Sequence, residues 1–204
     1  MTYSKIKSPF LIKEQAISNK ICDQILFDLQ NFEDMTPLSE PHQISDDVVQ
    51  DIILDYVPQW KEEIASYYGV IVSKVENIEL WNIPEGVEYK ANCDNSKFYN
   101  NVWIRTSAVD FTSLIFLQNT ADHTPLDPRY EIFGGRYEFP QYNFGFNPTT
   151  GVMITHPSDP HFINGFSTPI GTDLFVIKIK YSCNDLYLHD PKKFPGDITC
   201  WFNN

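Results

Sequence analysis

The sequence predicts a mainly β protein of the α+β kind, with a jelly-roll (cupin-like) or double-stranded β-helix core and N-terminal helices buttressing it. Three observations predict this. After Gly69, short runs rich in β-branched and aromatic residues alternate with turn residues. Before Gly69, apolar residues recur instead at three- and four-residue spacing, the signature of amphipathic helices. The composition, 42% apolar and 15% aromatic, is that of a globular chain rich in strands. At 204 residues the chain reads as one domain, 1–204, with residues 1–69 mostly helical and 70–204 forming the β core.

From Lys13 to Phe32, the residues Ile17, Ile21, Ile25, Leu26, Leu29 and Phe32 form one apolar stripe, which predicts a first helix. A linker from Met35 to Gln43 follows, punctuated by Pro37 and Pro41. Ser45 is placed to cap a second helix, with Asp46 and Asp47 in its first turn where the helix dipole favours negative charge. Its apolar face is Val48, Val49, Ile52, Ile53 and Tyr56, and Pro58 ends it or starts another helix carrying Trp60 and Ile64. The predicted strands are 78–83, 86–90, 101–106, 111–118, 130–133, 136–139, 152–155 and 174–181. About eight strands at this spacing point to a jelly-roll or double-stranded β-helix. In the last strand Phe175, Ile177, Ile179 and Tyr181 alternate with Lys178 and Lys180, so both lysines are expected to face solvent.

Charge excludes one class of partner. With 27 acidic and 15 basic residues the net charge is −12, and nucleic-acid affinity depends on Lys and Arg displacing counterions. No apolar run approaches a membrane span, and Met1 to Phe10 lacks a secretion signal, so a soluble cytoplasmic protein is expected. Cys22, Cys93, Cys183 and Cys200 are widely spaced and read as free thiols. Phosphate loops, nucleophile elbows and zinc-type Cys/His spacings are absent from the sequence. Gly134-Gly135 reads as a turn needing positive backbone angles. The aromatic group Tyr137, Phe139, Tyr142, Phe144 and Phe146 reads as packing.

Several segments carry a family resemblance. Tyr89 to Asn95, read Tyr-Lys-Ala-Asn-Cys-Asp-Asn, resembles the metal-binding turn of 2-oxoglutarate/Fe(II) oxygenases of the prolyl 4-hydroxylase type. Asp110 to Leu117 is similar to the strand that follows in that family, and Gly134 to Phe139 to its Gly-Gly turn. Pro148 to Pro157, then Ser158 and His161, resembles the strand that ends before the family's distal histidine. The wording Asn-Cys-Asp-Asn and Pro-His-Phe-Ile-Asn is most similar to versions carried by tailed phages, in particular T4-like cyanophages.

The resemblance implies Fe(II) and 2-oxoglutarate as cofactors, Asp94 as carboxylate ligand and His161 as an inward-facing distal imidazole. Two departures count against both cofactors. Asn92 stands where the first histidine of a two-imidazole, one-carboxylate site belongs, and a neutral amide is a poor iron ligand. Ile170 to Asp173 offers an acid where the family anchors the co-substrate with Arg or Lys, and a nearby acid repels a dicarboxylate. Arg105 and Arg136 are the other cations able to reach inward, His156 reads as a core or surface residue, and His123 as a solvated loop residue. The expectation is a vestigial metal site, with cofactors bound weakly or not at all. The role is then structural or binding, with protein partners such as other virion proteins of a head, neck or tail. The alternative is an active dioxygenase hydroxylating a peptide or small substrate.

Overall fold

The computed structural model describes residues 8–30, 41–44, 49, 52–121 and 132–185. Its major sheet has six strands in the order β1 (Leu11–Lys13), β12 (Met153–Pro157), β7 (Phe111–Phe116), β15 (Leu174–Cys183), β3 (Val72–Ile83) and β2 (His42–Ile44), with every neighbouring pair antiparallel. A four-stranded sheet faces it, ordered β11 (Phe144–Phe146), β10 (Tyr137–Phe139), β13 (Asn164–Phe166) and β4 (Tyr89–Asn92). A small sheet joins β14 (Pro169–Ile170), β9 (Ile132–Gly134) and β8 (Thr120–Ala121). The hairpin β5 (Ser96–Tyr99) and β6 (Val102–Arg105) forms a two-stranded ribbon. Two antiparallel sheets wrapped around one interior make the jelly-roll that the strand spacing predicts.

Helices α1 (Asn19–Gln30) and α2 (Val57–Tyr68) cover the outer face of the major sheet. Ile17, Cys22, Ile25, Leu29, Trp60 and Ile64 pack there against Phe111, Ile115, Ile177 and Ile179. The opposite face packs Leu114, Phe116, Ile154, Leu174 and Val176 against Tyr137, Phe139, Phe162 and Phe166 of the second layer. The central strands are therefore buried on both sides, and alternate residues of β15 serve two different cores. Among the described residues, no helix is long and apolar enough to cross a membrane.

The first helix is shorter than its stripe suggests. Leu11 to Lys13 pair with Met153 to Thr155 as an edge strand, Gln15 takes a left-handed φ of 52°, and the helix starts only after Ser18, whose Oγ accepts from the Ile21 N–H at 3.4 Å. Pro58 opens α2 rather than closing its predecessor, and Gly69 ends it at φ 70°. Val49, Ile52 and Ile53 are helical as expected, while the cap Ser45 with Asp46 and Asp47 lies outside the described residues. The Gly134-Gly135 turn has φ of 64° and 61°. A Cβ on Gly134 would lie 2.3 Å from the Thr168 carbonyl oxygen, so the position requires glycine sterically as well as conformationally.

Candidate functional site

Asp94 follows the last residue of β4 and turns into the space between the two sheets, where its side chain is 4% exposed. The turn is pinned by the backbone just after β12 and just before β7. The Asn95 N–H donates to the Ser158 carbonyl at 3.3 Å, the Cys93 thiol donates to the same carbonyl at 3.1 Å, and Asn95 Nδ2 donates to the Val109 carbonyl. Three inward positions of the major sheet then meet Asp94: Thr112 on β7, His156 on β12 and Lys178 on β15. Register places His156 opposite Thr112 and sets Lys178 beside Leu114.

Lys178 and Asp94 form a buried ion pair, the ammonium on Oδ1. Thr112 Oγ1 donates to Oδ2 at 2.9 Å, and since that hydroxyl has a single proton, Ser158 Oγ donates to Thr112 at 2.8 Å. Burial alone would raise the Asp94 carboxyl, but the Lys178 charge and hydrogen bond overcome it and hold the group below the usual carboxylate range. Burial likewise opposes the Lys178 charge, and Asp94 reverses the direction and holds the ammonium above the usual lysine range. The rings of Trp81 and Tyr89 add to this, their centroids 5.7 and 6.0 Å from the Lys178 nitrogen. Two residues along, Lys180 pairs with the buried Glu79 at 2.7 Å, so both interior cations of β15 have an acid.

The expectation that Lys178 and Lys180 face solvent is therefore corrected. Their parity is opposite to Phe175 and Ile177 as predicted, but that face is the interior of the sandwich, because helices cover one side of the sheet and a second sheet the other.

His156 is fully buried beside this pair. Its Nδ1 lies 2.7 Å from the Pro157 carbonyl, which can only accept, so the proton sits on Nδ1 and Nε2 accepts from the Tyr137 hydroxyl at 2.6 Å. Burial pushes its pKa down to about 4, against the partial opposition of the Pro157 bond. The ring is a neutral core group with both nitrogens engaged.

His161 departs from its expected inward position. It lies in a 3-10 turn from Pro160 to Phe162, with its side chain 62% exposed and Nδ1 2.8 Å from Asp159 Oδ1. The same Asp159 oxygen caps the turn by accepting from the His161 N–H at 2.8 Å, and Phe162 points inward instead. Asn92 is half-buried at the end of β4, where it pairs in register with Asn164 and its amide donates to the Lys90 carbonyl at 3.3 Å. The structure thus brings Asp94 together with Lys178, a partner the sequence did not announce, while His161 sits in the exposed turn. His123 lies outside the described residues.

The expected co-substrate anchor is also differently used. Asp173 accepts from Asn82 Nδ2 and from the Glu85 N–H, both at 2.8 Å, which fixes the turn into β15. Arg105 binds Asp110 at 2.9 Å and the Ser107 carbonyl, and Arg136 donates to the Gly145 carbonyl at 3.1 Å. Beside Lys178, the space bounded by Trp81, Ile83, Tyr89, Leu114, Asn164 and Phe166 amounts to about 10 Å³. That is room for about one water, whereas small-molecule sites measure roughly 300–1,000 Å³.

These residues do not fit an Fe(II) and 2-oxoglutarate site. Both oxygens of Asp94 are engaged, the space beside Lys178 has room for about one water, and no group of three or more His, Cys, Asp or Glu residues able to hold a metal occurs among the described residues.

No protein-family model and no curated protein sequence matches the chain. Solved structures do. A viral collagen prolyl hydroxylase from Paramecium bursaria Chlorella virus-1, solved with 2-oxoglutarate, superimposes with a TM-score of 0.61 at 11% identity, covering 86% of this chain and 96% of the other. A Pseudomonas putida prolyl-4-hydroxylase gives 0.59 at 11% identity, covering 87% and 94%. A 2-oxoglutarate/Fe(II) oxygenase-family oxidoreductase from Burkholderia pseudomallei gives 0.59 at 10% identity, covering 85% of each chain. At such identity the likeness establishes fold alone: this chain has the double-stranded β-helix fold of the prolyl 4-hydroxylase-like 2-oxoglutarate/Fe(II) oxygenases.

Proposed function

We propose that this chain keeps the oxygenase fold without the oxygenase reaction and acts as a structural or binding protein of a phage particle. The observation that carries the first half is the Lys178–Asp94 pair. By the sequence resemblance Asp94 stands at the position of the family's carboxylate ligand, and its charge is here met by a protein ammonium, where an active member would use a ferrous ion. Asn92 at the histidine position and the exposed His161 point the same way. The phage assignment rests on the wording of residues 92–95 and 160–164, and the partners it implies are other virion proteins.

The test is turnover. Purified protein given Fe(II), ascorbate and 2-oxoglutarate is expected to release succinate no faster than a protein-free control. Sustained succinate production that disappears in Asp94→Ala would overturn the proposal and establish an active dioxygenase. The particle role is tested separately, by mass spectrometry of purified virions, and its absence from them would refute that half.

A further inference from the structure

We infer that the cavity at the open edge of the sandwich, between β1 and β11, is a binding site for a neutral pyranose sugar. β1 and β11 are outer strands of the two facing sheets, and Ile12 of the first and Phe146 of the second both line the cavity. Its volume is about 490 Å³, within the roughly 300–1,000 Å³ of small-molecule sites, which favour the mouths of β-barrels. The site is separate from Asp94 and independent of the reading given to that residue. Thr112 and His156 mark the Asp94 end of the antiparallel pair β7 and β12, whereas Phe116 and Val152 mark the cavity end, about 13 Å away along the strand.

The walls are preformed. Asn119 Oδ1 accepts from the Thr150 N–H at 2.9 Å, the Gly151 N–H donates to the Phe116 carbonyl at 2.8 Å, and the Gly151 carbonyl accepts from the Ala16 N–H at 2.8 Å. These bonds clamp the turn at 149–151 to the end of β7 and to the segment leading into α1. Gln15, in that segment, is the anomaly of the wall. Among the described residues, four other than glycine have a positive φ; three are asparagines, which tolerate the left-handed region, and the fourth is Gln15 at 52°. Backbone held there clusters at ligand clamps and active sites, and Gln15 lines this cavity.

The lining selects the ligand. It carries four side-chain amides, Gln15, Asn19, Asn119 and Asn147, together with the hydroxyls of Thr149 and Thr150. Among the described residues, the side-chain amides of Gln15, Asn19 and Asn147 make no hydrogen bond to the protein, and Asn119 has its amide protons left to offer. An amide both donates and accepts, as a sugar hydroxyl does, so paired bonds to adjacent hydroxyls match it. Glu14 adds a carboxylate that can accept from two hydroxyls, and it is the single charged side chain of the lining. A phosphate or carboxylate ligand would find no lysine or arginine there and would be repelled by Glu14. Phe116, Val152 and Ile154 give the cavity an apolar floor, with Phe146 beside it, suited to the C–H face of a pyranose ring.

A ¹H–¹⁵N NMR titration of the full chain with glucose, galactose, mannose and N-acetylglucosamine, each to about 50 mM, tests this, a span that covers the millimolar affinity of a ligand of about a dozen heavy atoms. At least one sugar should shift the side-chain NH₂ signals of Gln15, Asn19, Asn119 and Asn147 along a saturable curve, while that of Asn164, beside Lys178, stays in place. The methyl glycoside of that sugar distinguishes two sources: retained affinity indicates a sugar linked in a glycan, lost affinity a free sugar, and both sustain the site. Gln15→Gly/Asn147→Ala should weaken binding about ten-fold, as for two lost hydrogen bonds, with an unchanged circular dichroism spectrum because glycine adopts the Gln15 backbone angle freely. Should that variant fail to fold, the shift map of the parent decides alone. Ile71→Ser, outside the cavity, should bind like the parent. The inference is overturned if none of the four sugars gives saturable shifts, or if the shifts fall outside the cavity. It is overturned equally by a folded double variant that binds like the parent, or by a uronate that binds as tightly as its neutral sugar.

Discussion

Replacing Lys178 by methionine removes a cation from a place where water cannot substitute for it. The Lys178 side chain is 6% exposed and that of Asp94 4%, so the substitution leaves a buried carboxylate held only by the Thr112 hydroxyl. Breaking a buried pair from one side costs about 3–5 kcal/mol, far more than the pair contributes relative to apolar residues of the same volume. With a urea slope of about 2 kcal/mol/M for a chain of this size, the midpoint should fall by about 1.5–2.5 M. The cost also has a sign in pH. Without the ammonium, burial raises the Asp94 pKa in the folded state, so the variant takes up a proton on folding and the deficit narrows as pH falls. The narrowing is limited to about 1.4 kcal/mol per pH unit. Equilibrium urea unfolding at pH 7 and pH 5 measures both quantities. Asp94→Leu/Lys178→Met, which removes both charges, should recover at least half of the lost stability. A single variant within about 1 kcal/mol of the parent, or a double variant no better than the single, would refute the buried-counterion argument.

Two further perturbations follow from the same interior. His156 has a folded pKa of about 4 against an ordinary 6.5, so the unfolded chain binds more protons between those values. Its contribution is complete above pH 6.5 and should fall by about 3 kcal/mol as pH is lowered to 4, as read by urea unfolding, whereas His156→Gln should flatten that dependence. A parent whose stability is constant across this window would contradict the assignment of a neutral buried ring. Gly134→Ala should cost more than about 1 kcal/mol, because a positive φ and a carbonyl contact oppose the new methyl group together; a change in Tm too small to resolve would show that the turn can relax.

The long elements were legible because their periods are long. The stripe of α1 and the runs of β7 and β15 each repeat often enough to declare a face, whereas the strand Leu11–Lys13 is missing from the predicted strands because a three-residue edge strand has no period of its own. The hairpin was half visible: Val102–Arg105 reads as a strand, but Asn100-Asn101 is the turn signal that should have called for a partner at Ser96–Tyr99. The orientations of Lys178 and His161 differ from expectation for two distinct reasons. Parity separates Lys178 from Ile177, yet whether the other face meets water or a second sheet is a tertiary fact. A lysine inside Leu-Phe-Val-Ile-Lys-Ile-Lys-Tyr does carry a warning, since a run apolar on both parities belongs to a strand buried on both sides. His161 was placed inward by analogy of spacing, whereas Asp159 and Pro160 set a capped 3-10 turn that presents Phe162 to the core.

On the proposed function, the Lys178 ammonium fills at Asp94 the place a metal would take. Titrating Mn(II) into the purified chain, with and without 2-oxoglutarate, and following free Mn(II) by electron paramagnetic resonance tests it most directly. No saturable loss of the free-ion signal is expected below about 1 mM, with or without the oxoacid, because the ligands of the site are already engaged. Stoichiometric binding that is lost in Asp94→Ala would contradict it.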